Sequence, residues 1–212
     1  MPQISRQEFE RLPLRVHDFL AGVPLHDIWA IDLPRTRPGI TLAEFSRTAS
    51  ARSPVGCNCC EADRSRKASL LTRSPVVRML LDIRFFVGRL LGWDREPASS
   101  AWETFTTLLT TTDRSNSLVP AGTPEGLFHV VYRFENEQLL ELVNRTAHAA
   151  ALSALVETAN AYRFYFGVYV RNVGRFTPVY MALVDPFRKL IVYPSLLRSV
   201  RASWNQAFGA TE

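Results

Sequence analysis

The stretch Ala161–Asn172 (A-Y-R-F-Y-F-G-V-Y-V-R-N) decides the fold of this chain. Its residues alternate between a fully apolar face and a mixed face, which is the period of a β-strand. The apolar face carries Tyr162, Phe164, Phe166, Val168 and Val170. The next stretch, Thr177–Trp204, has the pattern of a helix with one apolar side. We therefore predict an α+β fold in which a curved antiparallel sheet packs on a long, proline-kinked C-terminal helix.

The C-terminal helix contains Pro186 and Pro194, after Pro178 at its start. A proline inside a regular helix removes one backbone hydrogen bond and costs about 3 kcal/mol. We therefore expect a curved or stepwise helix, with Asp185 capping a new segment at Pro186. The helical wheel places on the apolar side Val184, Phe187, Leu190, Ile191, Tyr193, Leu197, Val200 and Trp204.

Two upstream stretches, Val23–Leu33 and Leu127–Glu137, alternate in the same way and predict further strands. In the second stretch the charged residues share one parity, so the other parity should face the core. That parity comprises Phe128, Val130, Tyr132 and Phe134. Thr104–Thr112 is a weaker strand candidate, rich in β-branched threonine.

The stretch Leu139–Glu157 is ambiguous. Its five alanines favour a helix by propensity. Asn144-Arg145 could instead turn a hairpin between strands at 139–143 and 146–156. The residues alone leave both alternatives open.

Two helices and an insert lie between the first two predicted strands. Thr41, with Glu44 three residues later, forms a capping box that predicts a short helix to about Arg47. Ser74-Pro75 begins a strongly apolar helix that ends at Gly92 and carries Arg84 on its apolar side. Residues 48–73, rich in Ser, Arg and Ala, predict an exposed insert in a single domain spanning 1–212.

The three cysteines, Cys57, Cys59 and Cys60, lie inside this insert. An odd number argues against a disulfide framework. The cluster could bind a soft metal, but a fourth ligand at zinc-finger spacing is missing. We expect incidental thiols in an exposed loop and no bound metal.

The composition limits the class of protein. The chain is 47% hydrophobic, so it can bury a core, and it carries a net charge of +5 with a pI near 9.4. Its arginines are scattered among acidic residues without a nucleic-acid-binding motif, so we do not expect nucleic acid as a partner. The N-terminus shows no apolar leader, and Val76–Leu91 contains charges and is too short to span a bilayer. These features predict a cytoplasmic protein.

Five strings resemble a known family, the domain of unknown function 2867. They are L-P-L-R-V-H-D (12–18), R-F-F-V-G-R-L-L-G-W-D-R (84–95), V-Y-R-F-E-N-E (131–137), N-R-T-A-H (144–148) and P-V-Y-M-A-L-V-D-P-F-R-K-L-I-V-Y-P (178–194). The resemblance covers Arg11–Phe208 apart from the insert. Some members follow a short-chain-dehydrogenase-like nucleotide-binding domain, which implies an oxidoreductase as a partner. This chain has no G-x-G-x-x-G itself, and we expect no cofactor.

A looser likeness links the chain to the helix-grip superfamily of polyketide cyclases and START-like lipid carriers. That likeness implies an antiparallel sheet wrapped around a C-terminal helix, with a ligand cavity between them. It also implies strands for Leu139–Glu157. The chain departs from the superfamily because it offers fewer predicted strands.

The candidate site residues are few, and a nucleophile beside a base is not recognisable. His148 could act as a general base if it faces a cavity, or it could be a structural histidine bonded to the backbone. Tyr132 and Tyr162, on the expected inner faces of their strands, could bind substrate or only pack. Arg84 and Arg114 are candidate anion clamps for a carboxylate or an enolate.

Three hypotheses for function follow. In the first, a cavity between sheet and helix, lined by Tyr132, His148 and Tyr162, binds a small hydrophobic or aromatic molecule, as a carrier or an accessory cyclase of secondary metabolism. In the second, the domain docks on an oxidoreductase without catalysis of its own. In the third, the arginine-flanked C-terminal helix attaches the protein to a membrane surface.

Overall fold

The computed structural model describes residues 4–51, 103–143, 148–171 and 185–209. The described residues form six strands: β1 Leu25–Pro34, β2 Pro124–Glu125, β3 Phe128–Arg133, β4 Glu137–Val143, β5 His148–Glu157 and β6 Ala161–Arg171. The helical segments are α1 Arg6–Glu10, α2 Val16–Phe19, α3 Leu42–Ala51, a 3₁₀ turn Phe105–Leu108, α4 Thr111–Asn116, a π-helical turn Arg188–Val192 and α5 Tyr193–Phe208. This is the predicted α+β class.

The strands form one antiparallel sheet in the order β1-β6-β5-β4-β3-β2. The hairpin reading of Leu139–Glu157 is confirmed, and the predicted turn at Asn144-Arg145 lies outside the described residues. Propensity is overridden here because the alanines of β5 lie opposite large side chains of β6. Ala150 pairs with Tyr169 and Ala154 with Tyr165, so a small residue leaves room for each ring.

Both faces of the sheet are buried, each beneath its own layer. On one face α3 and α5 pack on the sheet; on the other lie the N-terminal segment and the 3₁₀ turn. The helix-covered face is formed mainly by Trp29, Ile31, Leu33, Val130, Leu140, Leu155, Tyr162, Phe164 and Phe166. The opposite face is formed mainly by Ile28, Ala30, Val131, Tyr132, Leu139, Leu152, Tyr165 and Tyr169.

The predicted break in the C-terminal helix is a π-helical turn. The Tyr193 N–H donates to the Arg188 carbonyl, five residues earlier, and Pro194 follows with no N–H to donate. One extra residue rotates the helix by about 100°. This phase shift corrects the helical wheel, because Phe187, Leu190 and Ile191 are exposed instead of buried.

A β-bulge corrects the predicted parity of β3. Val130 pairs with Leu140 and Tyr132 with Leu139, so Val131 is an extra residue. Val130 therefore packs on the helix-covered face, whereas Tyr132 and Phe134 pack on the opposite face. A second register shift, between Leu25 and Asp27, occurs at the start of β1.

Three further expectations met different outcomes. The Glu44 N–H donates to Thr41 Oγ1 at 3.1 Å as predicted, but α3 continues to Ala51 and takes the first residues of the predicted insert. Thr104–Thr112 is not a strand: it holds the 3₁₀ turn and the start of α4. The cysteine cluster, the helix predicted from Ser74-Pro75 and the start at Pro178 lie outside the described residues.

Candidate functional site

A pocket of about 240 Å³ opens between the N-terminal segment and β6. Its apolar wall is formed by Phe9, Val16, Leu20, Ala21, Val23 and Leu25. The polar residues of the lining, within the described part of the chain, are Arg6, Glu10, His17 and Tyr169. The pocket thus lies on the face of the sheet opposite to α5.

Two polar atoms of this lining have no partner within the described part of the chain. His17 Nε2 is buried and makes no hydrogen bond, while the imidazole ring packs edge-on against Phe9 at 4.8 Å between ring centroids. The Tyr169 hydroxyl is likewise free of hydrogen bonds to described residues. Burial raises the pKa of Tyr169, and the Glu137 carboxylate raises it further, so the hydroxyl remains a donor. Because His17 Nε2 has almost no accessible surface, a ligand in the pocket does not reach it unless the surrounding side chains move.

Glu137 holds the first residues of α2, which form part of the pocket wall. Its carboxylate accepts the backbone N–H groups of Arg15 (2.8 Å) and Val16 (2.9 Å), which begin α2. It also accepts the Tyr132 hydroxyl at 2.5 Å. Burial raises the pKa of Glu137, although these hydrogen bonds oppose the shift.

A second carboxylate ties the same helix to α4. Arg15 donates to both oxygens of Asp113, at 2.9 and 3.1 Å. Asp113 also completes a capping box with Thr110, the N-cap of α4. The hydrogen bond from Arg15 lowers the pKa of Asp113 to about 2.

The Asp113 pairing predicts acid sensitivity. Because its pKa is lower in the folded state than the ordinary 3.8, Asp113 stabilises the fold fully above pH 4 and loses this effect as pH falls towards 2. We expect the stability difference between wild type and Asp113→Asn to shrink by about 1–2 kcal/mol across that window, a figure reduced for the partly exposed Arg15. Urea unfolding at several pH values measures it.

Asp18 supplies the matched control for this experiment. It approaches the same Arg15 at 3.6 Å, but its side chain is 84% exposed. Because this pair is exposed, Asp18→Asn should change the stability by less than about 1 kcal/mol. A constant difference for Asp113→Asn between pH 5 and pH 2 would contradict the assignment.

His148, the predicted general base, is fully buried on the pocket-bearing face of the sheet but outside the pocket lining. Its Nε2 lies 2.5 Å from Glu141 Oε1, which also accepts the Phe105 N–H at 2.8 Å. The ring stacks on Phe105 with centroids 4.1 Å apart. His148 therefore belongs to a buried Glu–His pair beneath the 3₁₀ turn, and its catalytic role stays a prediction.

A second polar cluster lies on the helix-covered face around Asp27. This carboxylate is almost fully buried, and its Oδ2 accepts Arg188 Nη2 at 2.5 Å and the Tyr193 hydroxyl at 3.0 Å. Burial raises the pKa of Tyr193. The π-helical turn makes this pairing possible, because it brings residues five apart in sequence onto one side of the helix.

The same cluster contains a metal-like set of ligands, His26, Asp27 and Asp185, whose ligand atoms lie within 4.8 Å of one another. However, Arg188 Nη2 already bridges the two carboxylates, 2.9 Å from Asp185 and 2.5 Å from Asp27. Lys189 approaches both carboxylates at 3.6–3.8 Å. A metal ion would have to displace these cations, so we read the cluster as a structural ion-pair network.

The structure separates the three residues expected around one cavity. Tyr132 and His148 share the pocket-bearing face, whereas Tyr162 lies on the helix-covered face. The Tyr162 hydroxyl donates to the Arg37 carbonyl and accepts the Ile40 N–H, each at 2.9 Å. Its ring packs 5.2 Å from that of Trp204. A single cavity lined by all three residues is therefore wrong, because the sheet lies between them.

Of the two predicted anion clamps, Arg114 lies among the described residues. Arg114 is exposed on α4 and donates to the Thr106 carbonyl at 2.7 Å. Arg84 lies outside the described residues.

The pocket residues His17 and Tyr169 and the carboxylate Glu137 were missed from the sequence. One signal was available, since Glu137 and Glu141 are two acids of equal parity in the strand E-Q-L-L-E-L-V, whose other residues except Gln138 are apolar. Buried acids in a strand require partners, and here they hold the covering layer in place. His17 stands in L-P-L-R-V-H-D, where short helices give no periodicity to read.

Among the described residues, none of the helices is long and apolar enough to cross a membrane. Comparison with curated proteins and with solved structures finds no match. The model of one family, described as protein of unknown function (DUF2867), matches residues 19–195. The match includes the residues around Asp27 and, of the pocket lining, Leu20, Ala21, Val23, Leu25 and Tyr169, whereas His17 lies just before it. Since this match covers most of the chain, the protein belongs to the DUF2867 family.

Proposed function

We propose that this domain binds a small, largely apolar molecule in the pocket between the N-terminal segment and β6. The observation that carries the proposal is a largely apolar pocket of about 240 Å³, lined by Tyr169, whose hydroxyl makes no hydrogen bond to a described residue. Ligand sites are typically apolar clefts with a few convergent polar groups. This proposal keeps the small-molecule ligand of the first sequence hypothesis but places it on the face of the sheet opposite to α5.

Binding without turnover is the function this geometry supports best. The predicted proton shuttle, His148, is stacked beneath Phe105 and does not line the pocket. Among the described residues that line the pocket, none is a nucleophile paired with a base. Docking on an oxidoreductase and contact with a membrane surface stay predictions.

A pocket-filling variant tests the proposal. Ala21 is exposed at the pocket wall, so an Ala21→Trp change should occupy the pocket without disturbing the core. In a ligand-observed NMR screen of small aromatic and aliphatic fragments, we expect hits for wild type and at least a tenfold loss of affinity for Ala21→Trp, as expected from steric exclusion.

Ala159→Trp is the matched control, because Ala159 is exposed in the turn between β5 and β6, away from the pocket lining. It should bind the fragments as wild type does. A screen without hits, or hits that Ala21→Trp leaves unchanged, would count against the proposed function.

A further inference from the structure

An apolar patch is exposed at the start of the C-terminal helix. It consists of Phe187, Leu190 and Ile191, whose exposed fractions are 55%, 76% and 37%. Single exposed apolar side chains are common on soluble proteins, but here three of them lie within five consecutive residues. A concentrated apolar surface of this kind is typical of an interaction site.

The π-helical turn Arg188–Val192 holds this patch outside the core. It shifts the helical phase between the patch and α5, whose own apolar side is buried on the sheet. The turn is anchored from beneath, because Arg188 Nη2 lies 2.5 Å from Asp27 Oδ2 and the Tyr193 hydroxyl donates to the same oxygen at 3.0 Å. The exposed side chains therefore stand on a firmly held support.

The chain around the patch is basic. Residues 186–209 contain four basic residues and no acidic residue. Two of the four, Arg188 and Lys189, lie 2.5–3.8 Å from the carboxylates of Asp27 and Asp185, so these four charges balance one another. The other two basic residues supply the excess positive charge.

These two residues are Arg198 and Arg201, both exposed on α5. Arg198 donates to the Pro194 carbonyl at 3.1 Å and forms no ion pair with any residue that the structure describes. Arg201 donates to the Asp32 carbonyl at 3.3 Å, while the Asp32 carboxylate is already bound by an arginine of β6. Pro194 follows Leu190 by about one turn and Arg198 follows Pro194 by another, so the positive charge continues along the exposed side of the helix.

We propose that the patch of Phe187, Leu190 and Ile191 inserts into the surface of an anionic membrane, with Arg198 and Arg201 at the lipid headgroups. Such binding combines burial of apolar side chains at the interface with attraction of basic residues to anionic lipids. Only this turn inserts, because the apolar side of α5 is occupied by the sheet. The third sequence hypothesis is thereby narrowed from the whole helix to its first turn.

A protein partner fits this surface less well. Each partner of a stable complex buries about 800 Å², far more than three partly exposed side chains provide. A second copy of the chain, related by a two-fold axis, would also bring the basic residues of two identical helices together. An anionic lipid surface has neither difficulty.

Co-sedimentation of the full chain with vesicles tests the proposal. We expect binding to mixed phosphatidylcholine–phosphatidylglycerol vesicles and little binding to phosphatidylcholine alone. Raising the salt from about 0.1 M to about 1 M should weaken the binding, since it shortens the Debye length from about 10 Å to about 3 Å. Leu190→Ser should lower the affinity at least fivefold by removing apolar area, and Arg198→Gln should lower it about fivefold by removing one charge.

Each variant has a matched control elsewhere on the surface. Leu118 is 51% exposed after α4, so Leu118→Ser should bind the vesicles as wild type does. Arg114 is exposed and donates to a backbone carbonyl, as Arg198 does, so Arg114→Gln should also leave binding unchanged.

Three results would overturn the proposal. The first is no binding to either kind of vesicle, and the second is binding that is indifferent to lipid charge and to salt. The third is an equal loss for Leu190→Ser and Leu118→Ser. Analytical ultracentrifugation of the same samples identifies the competing occupant: a wild-type dimer that Leu190→Ser dissociates would assign the patch to a second copy of the chain and overturn the membrane assignment.

Discussion

Replacing Asp27 with alanine is expected to destabilise the protein by roughly 3–5 kcal/mol, the usual result of removing one partner from a buried ion pair. The change leaves the mostly buried Arg188 guanidinium without its closest carboxylate, since its Nη2 lies 2.5 Å from Asp27 Oδ2. It also leaves the buried Tyr193 hydroxyl without its acceptor. Both groups lie at the π-helical turn, so the start of the C-terminal helix should loosen first. Urea unfolding at pH 7 measures the loss.

Asp32, on the same strand, provides the control. Its carboxylate accepts Arg163 Nε at 2.6 Å, but its side chain is 57% exposed. An exposed pair of this kind contributes at most about 1 kcal/mol, so Asp32→Ala should have a small effect. Equal losses for the two variants would show that burial does not set the strength of the Asp27 pairing.

A double variant separates the ion pair from its packing. Replacing Asp27 with asparagine and Arg188 with methionine removes both charges and keeps comparable volume. Buried ion pairs are often replaced by neutral groups at little cost, so this variant should be more stable than Asp27→Ala. If it is equally unstable, the loss in Asp27→Ala comes from packing and not from an uncompensated charge.

The sheet and the C-terminal helix could be predicted because alternation and helical periodicity are strong over long stretches. β6 runs from Ala161 to Arg171 as the pattern indicates, and Trp204, on the apolar side of α5, is fully buried. The Ala-rich β5 was the harder case, since local propensity opposes its pairing with the tyrosines of β6.

The candidate sites could not be predicted, because one-residue register shifts in the strands determine which face of the sheet their side chains occupy. The bulge in β3 moves Tyr132 to the face where it meets Glu137, against the parity of its strand. The register shift in β1 puts Leu25 at the pocket while Asp27 faces the C-terminal helix. The alternation of residue types does not reveal where a strand contains such a register shift. Residues that share one parity in the sequence therefore lie on opposite faces of the sheet.

Glu137→Ala is the second substitution with a large expected effect, roughly 3–5 kcal/mol of lost stability. It leaves three buried or part-buried donors without an acceptor: the Arg15 N–H, the Val16 N–H and the Tyr132 hydroxyl. Each unsatisfied buried donor costs about 1–3 kcal/mol, with the sum reduced by relaxation and by water. Glu137→Gln keeps one acceptor oxygen, so its loss should be smaller.

The pH dependence of Glu137→Gln has a definite sign. Burial raises the pKa of Glu137 in the folded state above 4.5, so the folded protein holds this proton more tightly than the unfolded chain does. Its contribution is fully present below the unfolded pKa and declines as pH rises through the folded pKa. The glutamine variant lacks this decline, so its stability should approach that of wild type as pH rises above 4.5 through the folded pKa of Glu137.

Glu137 also connects stability to ligand binding. It holds the first residues of α2, and Val16, His17 and Leu20 of this region line the pocket. Glu137→Ala should therefore weaken binding of the fragments that wild type binds, even at low temperature, where the variant remains folded, whereas Asp27→Ala acts on the opposite face and should not. Unfolding curves and NMR titration on the same samples compare the two effects. If both variants bind the fragments as wild type does, α2 is not held by Glu137 in the way its hydrogen bonds imply.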